Sequence, residues 1–164
     1  MSKDSITVCH PFEPLFDKNS QVLILGSFPS VKSREQGFYY GHPQNRFWKV
    51  TAAVFSSEVP QTADEKRAFL LSCRIALWDV IHSCEICGSS DSSIKNAVAN
   101  DIGLILKSAD IKRIFTNGKT AKRLYDLYIE PKNGRPAEYL PSTSPANAAW
   151  SVERLTEAWK AIVF

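Results

Sequence analysis

The sequence lacks any long apolar run: no stretch of its 164 residues approaches the roughly 18 that a membrane-spanning helix needs. Met1 to Pro11 carries no apolar segment ending in small residues, so no secretory signal is expected there. Cysteine is scarce, at four residues, and without a secretory signal a reducing cytosol is expected, where thiols stay reduced. Cys84 and Cys87 form a lone C-x-x-C; a structural zinc site would want a second ligand pair, and only His82 lies near, so two free thiols are expected and no metal. Histidine is scarcer still, at three residues, and no G-x-S-x-G elbow occurs, which disfavours a Ser-His-Asp hydrolase. Neither sign of charge dominates: a net charge of +3 permits a nucleic-acid partner without requiring one. There is no internal repeat and no low-complexity segment, and a single domain over residues 1–164 is expected.

What is present is an ordinary globular composition, 44% apolar and 23% charged, which excludes disorder across the chain. Gln21 to Leu25 is a short apolar run ending at Gly26 and reads as a buried strand feeding a loop. Arg74 to Val80, Ile111 to Thr116 and Ala137 to Leu140 read as three further strands. Asn45 to Phe55 reads as a helix, and Thr62-Ala-Asp-Glu65 is a capping box that starts another, ending near Cys73. Ser93 to Ala99 and Ile102 to Lys107 read as short helical pieces, Gly118 to Tyr128 as a helix, and Ala146 to Val163 as a closing helix. Strands alternating with helices predict a parallel sheet covered on both faces. Ligands then bind outside the carboxyl ends of the strands, at the loops after Leu25, Val80, Thr116 and Leu140.

Four segments in or near these loops carry polar, proline or aromatic residues. Gly26-Ser-Phe-Pro-Ser30 makes a tight turn that offers two hydroxyls, and by itself reads first as an ordinary strand exit. Gly37 to Trp48 holds three consecutive aromatics between glycines; at least one is expected to offer a flat surface on which a base could stack. In the same segment, Asn45 reads as a helix N-cap or a site residue, and His42 as a ligand contact or a loop brace. Leu140-Pro-Ser-Thr-Ser-Pro-Ala-Asn147 combines hydroxyls, prolines and an amide, which suits phosphate contacts and also fits a helix start at Ser144 and Pro145. Asn117-Gly-Lys-Thr120 lacks the upstream glycines of a phosphate loop, so phosphoryl transfer is not expected, but Lys119 at a helix amino end could hold one backbone phosphate.

Taken together, these segments resemble a known family. His42-Pro-Gln-Asn-Arg-Phe-Trp48 is similar to the first motif region of the mismatch-specific uracil-DNA glycosylases. Gly-Ser-Phe-Pro-Ser30, Phe-Tyr-Tyr-Gly-His-Pro43, Leu-Trp-Asp-Val-Ile81 and Leu140 to Asn147 resemble the hypoxanthine-DNA (deoxyinosine) glycosylase branch of the uracil-DNA glycosylase superfamily. The resemblance implies a three-layer α/β/α fold around a central four-stranded parallel sheet. It also implies a monofunctional DNA glycosylase without cofactor or metal, a monomer in a bacterial or archaeal cytosol whose partner is DNA containing deaminated bases. Such an enzyme flips the damaged nucleotide into a pocket and hydrolyses the bond between base and sugar. Where the mismatch-specific enzymes carry a catalytic Asn in the first loop, this chain has Phe28. The resemblance therefore passes catalysis to Asn45, as the group that positions water or steadies the departing base. It makes Ser27, Phe28, Tyr40 and His42 the base pocket, with Tyr40 as the stacking ring. It makes Ser30, Lys119, Ser142, Thr143, Ser144 and Asn147 the DNA-binding residues.

Overall fold

A computed structural model of the protein describes residues 5–163. Its centre is a parallel sheet of four strands, β2 (Val22–Gly26), β3 (Ile75–Asp79), β6 (Arg113–Asn117) and β7 (Glu138–Leu140), in the order β3-β2-β6-β7. Every residue of β2 and β3 is buried. Side chains alternate across a strand, so burial at every position means that both faces of the sheet are covered, as the alternation of strands and helices predicted. The expected strands match β2, β3, β6 and β7 to within two residues at each end.

Helices supply the cover. Helix α3 (Ala63–Ser72) packs on β3 and opens with the expected capping box: the Glu65 N–H donates to Thr62 Oγ1 at 3.0 Å, and the Thr62 N–H donates to the Glu65 carboxylate at 3.3 Å. Helix α5 (Lys119–Tyr128) lies on β6 and β7. Helix α2 (Phe47–Val54) packs against α7 (Val152–Trp159), where Phe47 and Trp159 are fully buried and meet edge to face at 5.8 Å. The Trp159 indole N–H donates to Pro141 O at 2.9 Å, which ties α7 to the loop leaving β7.

The structure departs from the sequence reading in several places. A second, antiparallel sheet was not anticipated: β1 (Ser5–Cys9), β4 (Ile81–Cys87) and β5 (Lys95–Ala99), in the order β1-β4-β5. Ser93 to Ala99, expected to be helical, is the end of a 3-10 turn (Asp91–Ser93) followed by strand β5. Ala97 and Ala99 turn inward with Val98 exposed between them, and pairing with β4 selects that period of two over any local preference. Residues 146–150 form turns rather than the start of the last helix: Ser144 Oγ accepts from the Ala146 N–H, and the helix begins only after Ser151, whose side chain accepts from the Arg154 N–H. Finally, a short helix α1 (Val31–Gln36) follows the first loop, with Ser30 as its N-cap. The remaining helices, α4 (Gly103–Ser108) and α6 (Glu130–Asn133), are short connections. No described helix is long and apolar enough to cross a membrane.

Candidate functional site

The carboxyl ends of the parallel strands open onto a cavity of about 530 Å³. Its walls come from Gly26–Ser30 after β2, Tyr39–Asn45 before α2, Asp79 at the end of β3, Asn117 at the end of β6, and Ser142–Ala146 after β7. Its rim is completed by Ser89–Ser92, from the connection between β4 and β5. The volume suits a drug-sized or base-sized ligand.

At its centre is a chain of hydrogen bonds with only one consistent assignment. Asn117 Oδ1 accepts from the Thr143 N–H at 3.0 Å, so its Nδ2 is the group that donates to Thr143 Oγ1 at 3.0 Å. Thr143 Oγ1 in turn donates to Asn45 Oδ1 at 2.9 Å, which also accepts the Phe47 N–H at 2.9 Å. Backbone N–H groups can only donate, so they fix which way both amides point. Asn45 thus lines the cavity while its side chain accepts the Phe47 N–H in the first turn of α2; the N-cap itself is the next residue, Arg46, and not Asn45 as one sequence reading had it. No described residue accepts from its Nδ2, which leaves a pre-oriented donor at the cavity.

Arg46 braces the same wall from outside. Its guanidinium donates to Ser144 O at 2.7 Å, Asn147 O at 3.1 Å and Thr143 O at 3.3 Å, and also to Trp150 O. One side chain thus holds the Pro141–Trp150 segment against the start of α2. Asn147 adds a bond from its Nδ2 to Ser142 O at 3.0 Å, and Ser142 Oγ accepts from the Ser144 N–H at 3.1 Å.

Tyr40 has a left-handed backbone, φ 52°, which is strained for a residue with a ring. The Gly41 N–H on Ser33 Oγ at 2.9 Å holds that turn. The ring lies flat on Phe47, 4.1 Å between centroids at 14°, while Tyr40 also lines the cavity. One face is thus taken by Phe47. Its hydroxyl is buried without a partner, and burial, reinforced by the charge of Asp79, pushes its pKa well above the ordinary tyrosine range. Phe28 is 8% exposed and forms cavity wall, its ring edge-on to His10. His42 lines the cavity and its Nδ1 accepts from the Gln44 N–H at 3.1 Å, the bracing role. Ser30 lines the cavity while it caps α1.

One placement differs from expectation. Thr143 is fully buried with its hydroxyl held between Asn117 and Asn45, so its side chain orients the site from within and presents nothing to a backbone phosphate. Lys119, the first residue of α5, is exposed and is not part of the cavity wall.

Sequence reasoning missed His10, Asp79, Asp91 and Asn117. Asp79 is 3% exposed, and its Oδ2 accepts from His10 Nε2 at 2.7 Å. Its signal was a carboxylate closing an otherwise apolar strand, at the sheet edge where ligands bind. His10, brought in by the unanticipated sheet, left no such signal. Asp91 accepts from Ser27 Oγ at 3.0 Å at the rim. Loss of solvent around its carboxyl pushes its pKa up; the Ser27 bond opposes this and the charge of Asp79 adds to it. Among the described residues, no group of three or more His, Cys, Asp and Glu is arranged to hold a metal ion. Cys84 and Cys87 are free thiols on β4.

Comparison with known proteins bears on this geometry. Residues 13–163 match the model of the uracil DNA glycosylase superfamily. A hypoxanthine DNA glycosylase of Methanosarcina acetivorans is 35% identical over 153 residues, covering 92% of this chain and 95% of that protein. One from Methanosarcina barkeri is 33% identical over 138 residues, covering 83% and 86%. The solution NMR structure of a uracil DNA glycosylase candidate from Methanosarcina acetivorans superposes with a TM-score of 0.80 at 31% identity, over 96% of each chain.

Proposed function

The chain belongs to the uracil DNA glycosylase superfamily, and from that premise we propose that it excises deaminated bases, hypoxanthine foremost, from DNA by hydrolysing the bond between base and sugar. The observation that carries the mechanism is the fixed amide of Asn45. Its oxygen is occupied by Thr143 and the Phe47 N–H, so it offers the cavity a donor and not an acceptor. A donor cannot take a proton from water. It can hydrogen-bond a base heteroatom, and that bond strengthens as the base departs with the bonding electron pair. Asn45 is thus the group that steadies the leaving base. No reorganisation is needed at the moment of reaction, because the hydrogen-bond chain has already set the amide.

The other residues follow. Tyr40, backed by Phe47, offers its open side as the stacking platform; base stacking on an aromatic ring is worth about 1–3 kcal/mol. Ser27, Phe28 and His42 close the pocket around the base. Ser30, Ser142 and Ser144 meet the DNA backbone at the cavity with hydroxyls suited to phosphate oxygens, and Asn147 beside them supports that loop through its bond to Ser142 O. Lys119, exposed at the start of α5, adds a phosphate contact.

The test is excision from oligonucleotides carrying one deoxyinosine or one deoxyuridine, by the parent and by Asn45→Ala. Release of the base by the parent, with a loss of about a hundredfold or more in the variant, is expected. Full activity in Asn45→Ala would remove its role; no release of any deaminated base would remove the enzyme reading.

A further inference from the structure

Heterolysis of the bond between base and sugar leaves a charge on each side, and Asn45 meets only one of them. The electron pair goes with the base, so positive charge spreads over C1′ and the ring oxygen of the sugar, and water must then bond to C1′. Among the described residues that line the cavity, the carboxylates are Asp79 and Asp91. Asp79 ends β3, is 3% exposed, and has one oxygen bound by His10 Nε2. Asp91 is exposed at the rim. A flipped nucleotide enters base first while its sugar stays tethered to the strand at the mouth. Depth therefore assigns Asp91, and not Asp79, to the sugar.

Asp91 stands in the connection between β4 and β5, in the run Gly88-Ser-Ser-Asp-Ser-Ser93. Its side chain is not what folds that run. The turn at Asp91–Ser93 is closed by the Ser93 N–H on Ser90 O at 3.0 Å and the Ile94 N–H on Asp91 O at 3.3 Å. Ser93 Oγ adds to it, accepting from the Cys87 N–H at 2.8 Å and donating to Ser90 O at 2.7 Å. The run is also fastened to α1: the Val31 N–H donates to Ser89 Oγ at 2.8 Å, and Arg34 Nη2 donates to Gly88 O at 3.1 Å. On this fixed support Ser27 Oγ donates to Asp91 Oδ1 at 3.0 Å and holds the carboxylate beside the loop that leaves β2.

For binding alone, a carboxylate in this place is a liability. Ser30, Ser142, Ser144 and Lys119 are the proposed contacts to backbone phosphates, and a negative charge at the same mouth repels the strand. The interaction turns favourable only when positive charge appears on the sugar. A group that opposes the ground state and favours the transition state accelerates a reaction without tightening the hold on its substrate.

We infer that Asp91 is the catalytic carboxylate on the sugar side: it stabilises the positive charge that develops at C1′ and takes a proton from the attacking water. The assignment rests on the glycosylase reading and supplies the half of the reaction that Asn45, a donor, cannot perform. The C1′–N bond breaks with its electron pair on the base, and the water oxygen bonds to C1′. One water proton passes to Asp91 and from there, through solvent, to the base. Ser27 is a positioning residue, because its hydroxyl fixes one carboxylate oxygen.

Asp91→Asn separates charge from support, since the amide oxygen can still accept from Ser27. Single-turnover excision of hypoxanthine from a duplex is expected to slow by about a hundredfold or more. Affinity for the same duplex with an uncleavable 2′-fluorinated target sugar is expected to stay within about twofold of the parent or to rise, the rise being larger at low salt. A merely structural Asp91 predicts the reverse, weaker binding alongside the slower rate, and that result overturns the inference. A second measurement holds even if the variant does not fold. Two duplexes carry at the target position either a pyrrolidine ring, cationic at neutral pH, or a neutral tetrahydrofuran ring. The parent is expected to bind the cationic ring about tenfold or more tightly, the worth of one contact to a charged group, and folded Asp91→Asn should reduce that ratio below about threefold. Equal binding by the parent, or an unchanged ratio in the variant, overturns the inference. If the parent excises deaminated bases and Asp91→Asn does so as fast, the assignment of Asp91 fails and the glycosylase reading stands. If the parent excises no base at all, the glycosylase reading fails and takes the assignment with it.

Discussion

The hydroxyl of Thr143 donates to Asn45 Oδ1 at 2.9 Å, joining residues 98 apart in the chain. Through this bond the loop after β7 sets the amide that the proposed chemistry uses. Thr143→Val keeps the shape and removes the bond, leaving the Asn45 oxygen and the Asn117 Nδ2 each short of a partner. The expected result is a loss of about 1–3 kcal/mol in stability, read by denaturant unfolding. Base excision should fall by about tenfold or more, because the Asn45 amide is no longer pre-oriented.

Arg46 ties the Pro-Ser-Thr-Ser-Pro loop to the start of α2. Lysine keeps the charge but cannot reach several carbonyls at once from a planar fork. Arg46→Lys should therefore lower stability by about 2 kcal/mol or more and weaken binding to duplex DNA. Thermal unfolding and a binding titration against the parent check both. Unchanged values in each would show that the loop is held by its own turns.

The buried Tyr40 hydroxyl has no partner in the free protein. Removing an unpartnered polar group is neutral or favourable. Tyr40→Phe is expected to melt at the parent's temperature or above, with excision reduced by less than about fivefold, because the stacking ring is retained. A loss of activity well beyond that would show that the hydroxyl itself touches the base.

Asp91 holds its proton to a higher pH in the folded protein than its ordinary 3.8, because the protein packed around its carboxyl outweighs the Ser27 hydrogen bond; the side chain is still exposed at the rim, so water screens the effect and keeps it small. Its ionised form therefore opposes folding at neutral pH, and the opposition disappears as pH falls through the raised value toward the ordinary one. Asp91→Asn keeps the acceptor for Ser27 and removes the charge. The variant should melt above the parent at neutral pH, and the gap should close toward about pH 4. Melting curves across that range decide it; a gap independent of pH would assign the effect to something other than ionisation.

The sequence by itself determined the parallel sheet, because apolar runs such as Val22–Leu25 must be covered on both faces. It located the cavity through the rule that parallel sheets bind ligands at their carboxyl edge, and it marked Asn45 and Tyr40 by motif. The second sheet was hidden: β1 and β5 are short, half-exposed segments whose identity comes from pairing with β4, and backbone pairing leaves little trace in side-chain pattern. With that sheet went His10, which gains meaning only when folding brings it to Asp79, 69 residues away. Thr143 shows the same limit. As a letter in a hydroxyl-rich loop it looked like a phosphate contact. Tertiary structure buried it between two asparagines, where a hydrogen bond between distant segments, and not its chemistry alone, gives it its task.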